Sequence, residues 1–281
     1  MVGLQQAAAQ NNDEAAWQAW RQQRVLGLKS ENGWLNLAGL YWLKEGANSI
    51  GADSLGQVVL PAGKAPEHAG TLYLHEGKVS LKANAGANFT VADTTVKDIV
   101  VFDAKQEEQP VVALGSLRFT IIRRADMLGV RLRDLEREAI KKFTAIPCFP
   151  YSDSYRVKAN LRPPAPMETI GITNVLGQYT QEPLAGTLLF ELQGKPFSLK
   201  AIWEGDELFI LFGDSTNARE TYGAGRFLRA VPPAQGEKVI LDFNRAYNPP
   251  CAFTAYATCP LPPASNQLPL AVTAGEKNAE R

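Results

Sequence analysis

The sequence has few of the side chains that most often build metal and nucleophilic sites. Its 281 residues include two histidines, His68 and His75, and three cysteines, Cys148, Cys251 and Cys259. So few histidines argue against a His-rich transition-metal site, and a catalytic histidine base is limited to these two positions. The spacing of Cys251 and Cys259 is not a zinc pattern. Two free thiols in a reduced cytosol are the favoured interpretation, and a disulfide between these two cysteines across the Pro-rich turn is the alternative.

The chain also lacks an excess of either charge and any long apolar run. It carries 29 Lys and Arg residues and 29 Asp and Glu residues, so its net charge is zero. This balance argues against nucleic acid or an anionic membrane as a partner, since either would need a basic face. No apolar stretch is long enough to cross a bilayer, so we predict no transmembrane segment.

The first 12 residues have neither the basic nor the apolar region of a signal peptide. This stretch is rich in Ala and Gln and is interpreted as a disordered tail. The chain as it stands therefore predicts a cytoplasmic protein. A mature form, exported and trimmed of its signal, is the alternative.

One helical pattern is present, and many short strand patterns follow it. Asp13 to Leu28 has apolar residues at helical spacing, and a segment rich in apolar and aromatic residues occupies positions 33–43. From position 46 to 134, Gly, Asn, Asp and Pro interrupt strand patterns at intervals of about ten residues, which is typical of a β-sandwich. The charged segment from Leu135 to Phe143 predicts one short helix.

A Pro-rich stretch divides the chain into two halves. Five prolines between Ile146 and Pro166 exclude long regular elements, so we interpret this stretch as an extended crossover and a domain boundary. Beyond it, apolar and polar residues alternate again, with hairpin turns at 193–195 and 204–206. The sequence therefore predicts a mainly β protein with an N-terminal helix, a β-sandwich and a second antiparallel β domain packed against it.

The densest polar region lies near the end of the chain, in residues 212–228 and 242–251. Its carboxylates, guanidiniums, amides and phenols fall in turns beside apolar strands, where unpaired polar groups are costly to bury. We predict catalytic roles for Asp214, Glu220 and Tyr222. We predict substrate-binding roles for Arg226, Asp242, Asn244, Tyr247 and Asn248.

Each of these residues also has a structural interpretation, which is favoured for any single one of them. Asp214 can cap a turn of its own backbone. Arg226 can pair with Glu220 or Asp242 as a buried ion pair. We predict no cofactor, and the alternative is an oxygen-ligated Mg²⁺ or Ca²⁺ ion at Asp214, Asp242 and Asn244.

Long motifs spread over the chain resemble a known family. The resemblance is to the bacterial family catalogued as domain of unknown function 1684, and it lies in Gly33–Leu43, Phe212–Phe227, Asp242–Thr254, Cys259–Pro263, Asn266, Leu268 and Ala274–Lys277. It covers nearly the whole chain. It implies no particular activity, because the family is named for lacking one.

The first half has a second, looser resemblance. Positions 50–51, 58–61, 68–70 and 77–81 resemble a forkhead-associated (FHA) β-sandwich, a fold that binds phosphothreonine. Ala52 stands where that fold has its binding arginine, and Ala65 stands where it has a serine. Only His68 matches, and in that fold it is a structural residue. The resemblance therefore implies the architecture rather than phosphopeptide binding.

These patterns together predict four segments. Residues 1–45 contain the tail, the helix and the aromatic segment, and residues 46–145 form the FHA-like β-sandwich. Residues 146–168 form the crossover. Residues 169–281 form the C-terminal antiparallel β domain that carries the polar residues.

Two functions are compatible with this sequence. The first is a hydrolase or lyase acting on a small polar anion, in which Arg226 anchors the substrate and Asp214 or Glu220 transfers protons. Tyr222 would stabilise developing charge, so these four side chains must converge on one pocket. The alternative is a non-catalytic ligand-binding or structural β protein with a degenerate FHA-like domain. The sequence indicates no oligomeric state.

Overall fold

The chain begins with one long helix. The computed structural model describes residues 2–234 and 237–278, with side chains from residue 12 onward. Helix α1 spans Val2–Lys29, which confirms the helix predicted over 13–28. The prediction of a disordered tail is wrong from residue 2 onward, because the Ala and Gln residues there favour helix. Residue 1 lies outside the described residues.

The chain forms two compact units. The first, here called the sandwich unit, contains residues 28–143. The second, here called the sheet unit, contains residues 1–27 together with residues 144–281. The aromatic segment at 33–43 belongs to the sandwich unit, and the Pro-rich stretch belongs to the sheet unit. The four-segment scheme stays a prediction.

The sandwich unit is built from two sheets and one short helix. The elements are β1 (Leu37–Trp42), β2 (Gly46–Gly51), β3 (Val58–Val59), β4 (Gly70–His75), β5 (Lys78–Ala83), β6 (Thr90–Val91), β7 (Thr94–Thr95), β8 (Asp98–Asp103), β9 (Val112–Leu114), β10 (Leu117–Arg124), β11 (Met127–Asp134) and α2 (Glu138–Lys142). One sheet has the order β1-β11-β10-β9-β6-β7, and the other has the order β3-β2-β4-β5-β8. The short helix predicted near 135–143 is confirmed.

The core of the sandwich unit follows from alternation along its strands. In β10, Leu117, Phe119 and Ile121 are buried, and the residues between them are partly exposed. Successive side chains of a strand point to opposite faces, so this pattern places one face in the core. Phe119 meets Phe89 edge to face with ring centroids 6.2 Å apart. His68, the FHA-like position, is exposed.

The sheet unit contains one large antiparallel sheet. The strands are β12 (Arg156–Arg162), β13 (Thr169–Thr173), β14 (Tyr179–Leu192), β15 (Lys195–Glu204), β16 (Glu207–Asp214), β17 (Arg226–Ala230), β18 (Val239–Asp242) and β19 (Gln267–Leu268). The main order of the sheet is β17-β16-β15-β14-β12-β18, with β13 paired to β14 and β19 paired in parallel to β16. The mainly β fold class is therefore confirmed. The Pro-rich stretch is more than a crossover, because its residues 156–162 form β12 within the sheet.

Strands β16 and β17 position the predicted polar residues. The two strands pair with Phe212 opposite Arg226, so the run 215–225 forms the connection between them. Asp214 ends β16 and Arg226 begins β17, which brings the two side chains to the same end of the hairpin. Phe212 and Phe243 meet edge to face beneath this end, with ring centroids 5.5 Å apart.

Candidate functional site

Asp214 and Arg226 form a fully buried ion pair. Arg226 Nη2 lies 2.8 Å from Asp214 Oδ2, and both side chains are 0% exposed. The other oxygen, Oδ1, accepts from the Thr216 amide at 2.8 Å, from its hydroxyl at 2.6 Å and from the Val272 amide at 3.2 Å. Both carboxylate oxygens are thus occupied by donors of the protein itself. This is the structural role that the sequence favoured for Asp214 as a turn cap.

Arg226 also holds the end of the chain in place. Its Nη2 donates to the Val272 carbonyl at 2.9 Å, and its Nη1 donates to the carbonyls of Ala274 and Glu276. Burial lowers the pKa of the guanidinium, and the Asp214 carboxylate opposes that shift. The 2.8 Å contact with the carboxylate stabilises the charged form of the guanidinium.

The remaining predicted catalytic residues do not join this pair. The Glu220 side chain is exposed, and its backbone carbonyl accepts from Asn278 at 2.9 Å. Tyr222 is half-buried. A pocket of about 290 Å³ beside the turn is lined by Asp214, Asn217 and the run 223–225, but not by Glu220, Tyr222 or Arg226. The structure therefore does not bring the four side chains to one pocket, and their catalytic roles stay predictions.

Asn244 and Asp242 form a local clamp on the Pro-rich stretch. Asp242 caps the 3-10 turn Phe243–Arg245 by accepting from the Asn244 amide at 3.1 Å and from its side chain at 2.9 Å. Asn244 also donates to the Ser152 carbonyl at 2.9 Å and accepts from the Ser152 amide at 3.0 Å. Its own carbonyl accepts from the Trp17 indole of α1 at 2.8 Å. The backbone and side chain of Asn244 thus form hydrogen bonds within the protein itself.

Asn248 lies beside a buried carboxylate that the sequence analysis did not single out. Glu276 is 1% exposed and accepts from the Asn248 amide at 2.7 Å and from Arg24 Nε of α1 at 2.9 Å. Burial raises the pKa of Glu276, and the Arg24 guanidinium opposes that shift. Asn248 donates its side-chain N–H to the Lys277 carbonyl at 2.7 Å. The signal for Glu276 was its place in the family-like motif Ala274–Lys277.

Asp242 and Tyr247 line an open polar cleft of about 590 Å³, here called the arginine cleft. Its cationic side chains are Arg156, Arg229, Lys238 and Arg245, and its acidic side chains are Asp13, Glu207, Glu237 and Asp242. Trp20 of α1 and a Pro-rich loop after β17 complete its walls. Two of the eight predicted site residues therefore line this cleft.

The arginines of the cleft are partly exposed, and two of them make only loose ion pairs. Arg156 Nη1 lies 3.5 Å from an Asp13 oxygen, and Arg245 Nε lies 3.5 Å from an Asp242 oxygen. Arg229 pairs more tightly, since its Nη2 lies 2.6 Å from a Glu204 oxygen. The arginine side chains of these pairs are 38–46% exposed, so water screens their charges.

Tyr247 connects the cleft to helix α1. Its hydroxyl accepts from Arg229 Nε at 3.1 Å, and the Arg24 guanidinium lies over its ring at 4.7 Å from the centroid. Burial raises the pKa of the Tyr247 phenol, and Arg229 opposes that shift. The phenol is therefore a neutral hydrogen-bonding group at physiological pH.

No residues suited to a metal centre were found in the part of the chain that the structure describes. There, no group of three or more His, Cys, Asp and Glu side chains is arranged to hold an ion. Asp214 faces a guanidinium and Asp242 caps a turn, so neither offers a free oxygen-rich face. Among the same described residues, no helix is both long and apolar enough to cross a membrane.

The cysteines differ from the favoured prediction. Cys251 and Cys259 form a disulfide across the Pro-rich turn, so the interpretation of both as free thiols is wrong. The Cys251 amide also donates to Cys259 Sγ at 3.1 Å, which holds the two residues close together. Cys148 is the free cysteine, and it is half-buried.

Comparisons with known proteins identify relatives of no stated activity. Residues 141–277 match the model of a family described as a protein of unknown function, DUF1684. The solution NMR structure of an uncharacterized protein of Haloarcula marismortui is 32% identical, with a TM-score of 0.41. That match covers 50% of this chain and 80% of the other. No curated protein matches this chain.

Structures of FHA domains also match, which agrees with the loose resemblance of the sequence. One comes from a study of phosphothreonine-dependent FHA interactions, and another is the FhaA FHA domain in complex with the intracellular domain of Rv3910. Each is 19% identical and covers 34% of this chain, with a TM-score of 0.24. The matches cover 92% and 97% of those chains. A TM-score of 0.24 at 19% identity gives no information on what this chain binds. The family match and the 32% identical relative together show that this chain belongs to the DUF1684 family.

Proposed function

We propose that the sheet unit binds a small polar anionic molecule in the arginine cleft. The observation that carries this proposal is that Arg156, Arg229 and Arg245 all line one cavity of about 590 Å³. Cavities of roughly 300–1,000 Å³ are the usual size for small-molecule sites. A guanidinium presents paired N–H donors that match a carboxylate or a phosphate, so anions of either kind suit this cleft.

The loose ion pairs of the cleft support exchange with a ligand. An exposed pair such as Arg156 with Asp13 contributes roughly 0–1 kcal/mol. An entering anion can contact two guanidiniums at once through charge-assisted hydrogen bonds. Because the existing pairs are weak, ligand binding can replace them. The acidic residues nearby favour a ligand that also carries hydroxyl or amino donors.

Substitution of two arginines on the same strand tests the binding proposal. Arg156 and Arg162 both lie on β12, but only Arg156 lines the cleft. Thermal shift and calorimetry with inorganic phosphate and a series of mono-, di- and tricarboxylates would identify a binding anion. Arg156→Gln is expected to weaken its binding about tenfold or more, and Arg162→Gln is expected to leave it unchanged. Equal binding by both variants would contradict the proposal.

A second candidate function is turnover of the same anion by hydrolysis or elimination. The observation that favours it is the neutral Tyr247 phenol, held by Arg229 beside the Asp242 carboxylate in one cleft. Here Tyr247 donates a proton and Asp242 accepts one. Tyr247→Phe and Asp242→Asn should then abolish turnover of the bound anion while anion affinity falls little. Binding without any turnover by the wild-type protein would leave the non-catalytic function standing.

For localisation, we propose the exported alternative. The support is the Cys251–Cys259 disulfide, since such bonds persist in oxidising compartments and are rare in a reducing cytosol. Alkylation of whole cells with a maleimide before lysis, followed by mass spectrometry, distinguishes the two. If Cys251 and Cys259 are not alkylated before reduction, the result supports export. If both are alkylated without reduction, the result indicates a cytoplasmic protein.

A further inference from the structure

A second cavity of the sheet unit lies on one face of helix α1. It has a volume of about 480 Å³ and is bounded by the helix, the extended segment Thr144–Cys148 and Glu276. The helix contributes Gln18, Arg21 and Val25, among others. These positions are three and four residues apart, so their side chains project from the same face. This cavity shares no lining residue with the arginine cleft.

The lining of this cavity is mixed in chemistry. Its aliphatic residues, here called the aliphatic wall, are Val25, Leu26, Ala145 and Ile146. Its polar residues include Arg21, Arg24, Cys148 and Glu276. A ligand that satisfies both kinds of residue needs an apolar body and a polar head, because burying a polar group without a partner is unfavourable.

The charges of the polar lining residues specify the head group. Glu276 neutralises Arg24 across 2.9 Å. Arg21 contacts Gln18 from Nη1 at 3.4 Å and the Ile146 carbonyl from Nη2 at 3.5 Å, and it also interacts with the Cys148 side chain. Its guanidinium lies over the Trp17 ring at 4.9 Å from the centroid, and its long polar contacts can be exchanged for contacts with an anion. The lining therefore carries one positive charge in excess, at Arg21.

We propose that this cavity binds an amphipathic monocarboxylate, with its carboxylate on Arg21 and its hydrocarbon body along Val25, Leu26, Ala145 and Ile146. Such a ligand matches the excess charge and covers the aliphatic wall in one molecule. A phosphate or a short hydroxy acid would satisfy Arg21 alone and leave that wall in water. The ligand class thus differs from that of the arginine cleft, where polar groups line most of the surface.

The free thiol provides a direct readout of occupancy. Cys148 lines the cavity, and Cys251 and Cys259 are joined, so a thiol reagent modifies this one cysteine in the folded protein. Burial raises the pKa of Cys148 to about 11, which keeps it a slow-reacting thiol whose modification is easily timed. A bound ligand that fills the cavity blocks access to the thiol.

The test uses octanoate, with octan-1-ol as its uncharged counterpart. On the full chain, octanoate is expected to slow modification of Cys148 by N-ethylmaleimide and to bind by calorimetry. Arg21→Gln should weaken octanoate binding about tenfold or more, and Arg21→Lys should retain most of it. Octanol is expected to bind wild type and Arg21→Gln equally weakly.

Three results would overturn the proposal. The first is that octanoate neither binds nor protects Cys148. The second is equal octanoate binding by wild type and Arg21→Gln, and the third is octanol binding as tightly as octanoate. A control for folding is Gln23→Ala, an exposed position of the same helix outside the cavity, which should behave as wild type.

Discussion

Arg226 and Arg229 lie on the same strand, three residues apart, and have opposite surroundings. Arg226 is 0% exposed and binds one carboxylate and three backbone carbonyls. Arg229 is 46% exposed and shares its charge with two surface glutamates and the Tyr247 hydroxyl. An odd separation along a strand places side chains on opposite faces, which explains the difference. The strand thus separates an arginine that stabilises the fold from one that can meet a ligand.

This contrast shows that density of polar residues alone does not mark a ligand site. The side chains of the inward-facing pair Asp214 and Arg226 are fully buried and bind each other and the backbone of the same chain. The outward-facing Arg229 has partners that solvent already weakens. Accessible arginines with weak partners are therefore better candidates for binding than buried ones with strong partners.

The largest expected effect follows from breaking the buried pair. Asp214→Asn leaves the Arg226 guanidinium without its counter-charge in the core. Loss of one partner of a buried ion pair typically costs about 3–5 kcal/mol. Urea denaturation followed by tryptophan fluorescence would measure the lower free energy of unfolding. The matched control is Asp206→Asn, the same change at an exposed turn, which should shift stability by less than about 0.5 kcal/mol. Similar losses in both variants would refute the structural role of the pair.

An intermediate effect is expected at the clamp on the Pro-rich stretch. Asn244→Ala removes both hydrogen bonds to the Ser152 backbone and one to Asp242. Buried groups left without partners cost about 1–3 kcal/mol, so the free energy of unfolding should fall by that amount. Thermal denaturation of Asn160→Ala, at an exposed position of β12, provides the comparison. Equal melting temperatures for the two alanine variants would show that the clamp does not stabilise the fold.

The smallest effect on stability is expected at the exposed arginine. Arg229→Gln should lower the free energy of unfolding by less than about 1 kcal/mol, because its ion pairs are solvent-exposed. The same change should weaken anion binding in the arginine cleft about tenfold or more. Calorimetry and urea denaturation on one preparation separate the two effects. A stability loss as large as that of Asp214→Asn would remove the contrast between the two arginines.

Much of the fold could be predicted because it depends on local patterns. Alternation of apolar and polar residues indicated the strands, and helical spacing indicated α1. The start of α1 was missed because Ala and Gln do not show an apolar face. Residues 156–162 were assigned to a crossover because the surrounding prolines obscured a short strand that pairs with β14 and β18.

The candidate site was harder to predict because it depends on contacts between distant residues. Asp214 binds the amide of Val272, and Glu276 binds Arg24 of the first helix. Sequence spacing holds no information on such pairs. The arginine cleft likewise combines α1, β12 and β18, which are far apart in the sequence. Asp242 and Tyr247 were found because they lie in a recognisable polar motif.

The partners of Arg226 also determine when this unit can finish folding. The carbonyls that it binds belong to residues 46–50 positions later in the chain. During synthesis, the β16–β17 hairpin therefore leaves the ribosome well before the segment that covers its charged pair. The sheet unit also needs α1, which precedes the whole sandwich unit in the sequence. Its core is consequently completed only once residues 272–276 have also emerged, so the nascent chain depends on a closing step that comes well after the hairpin.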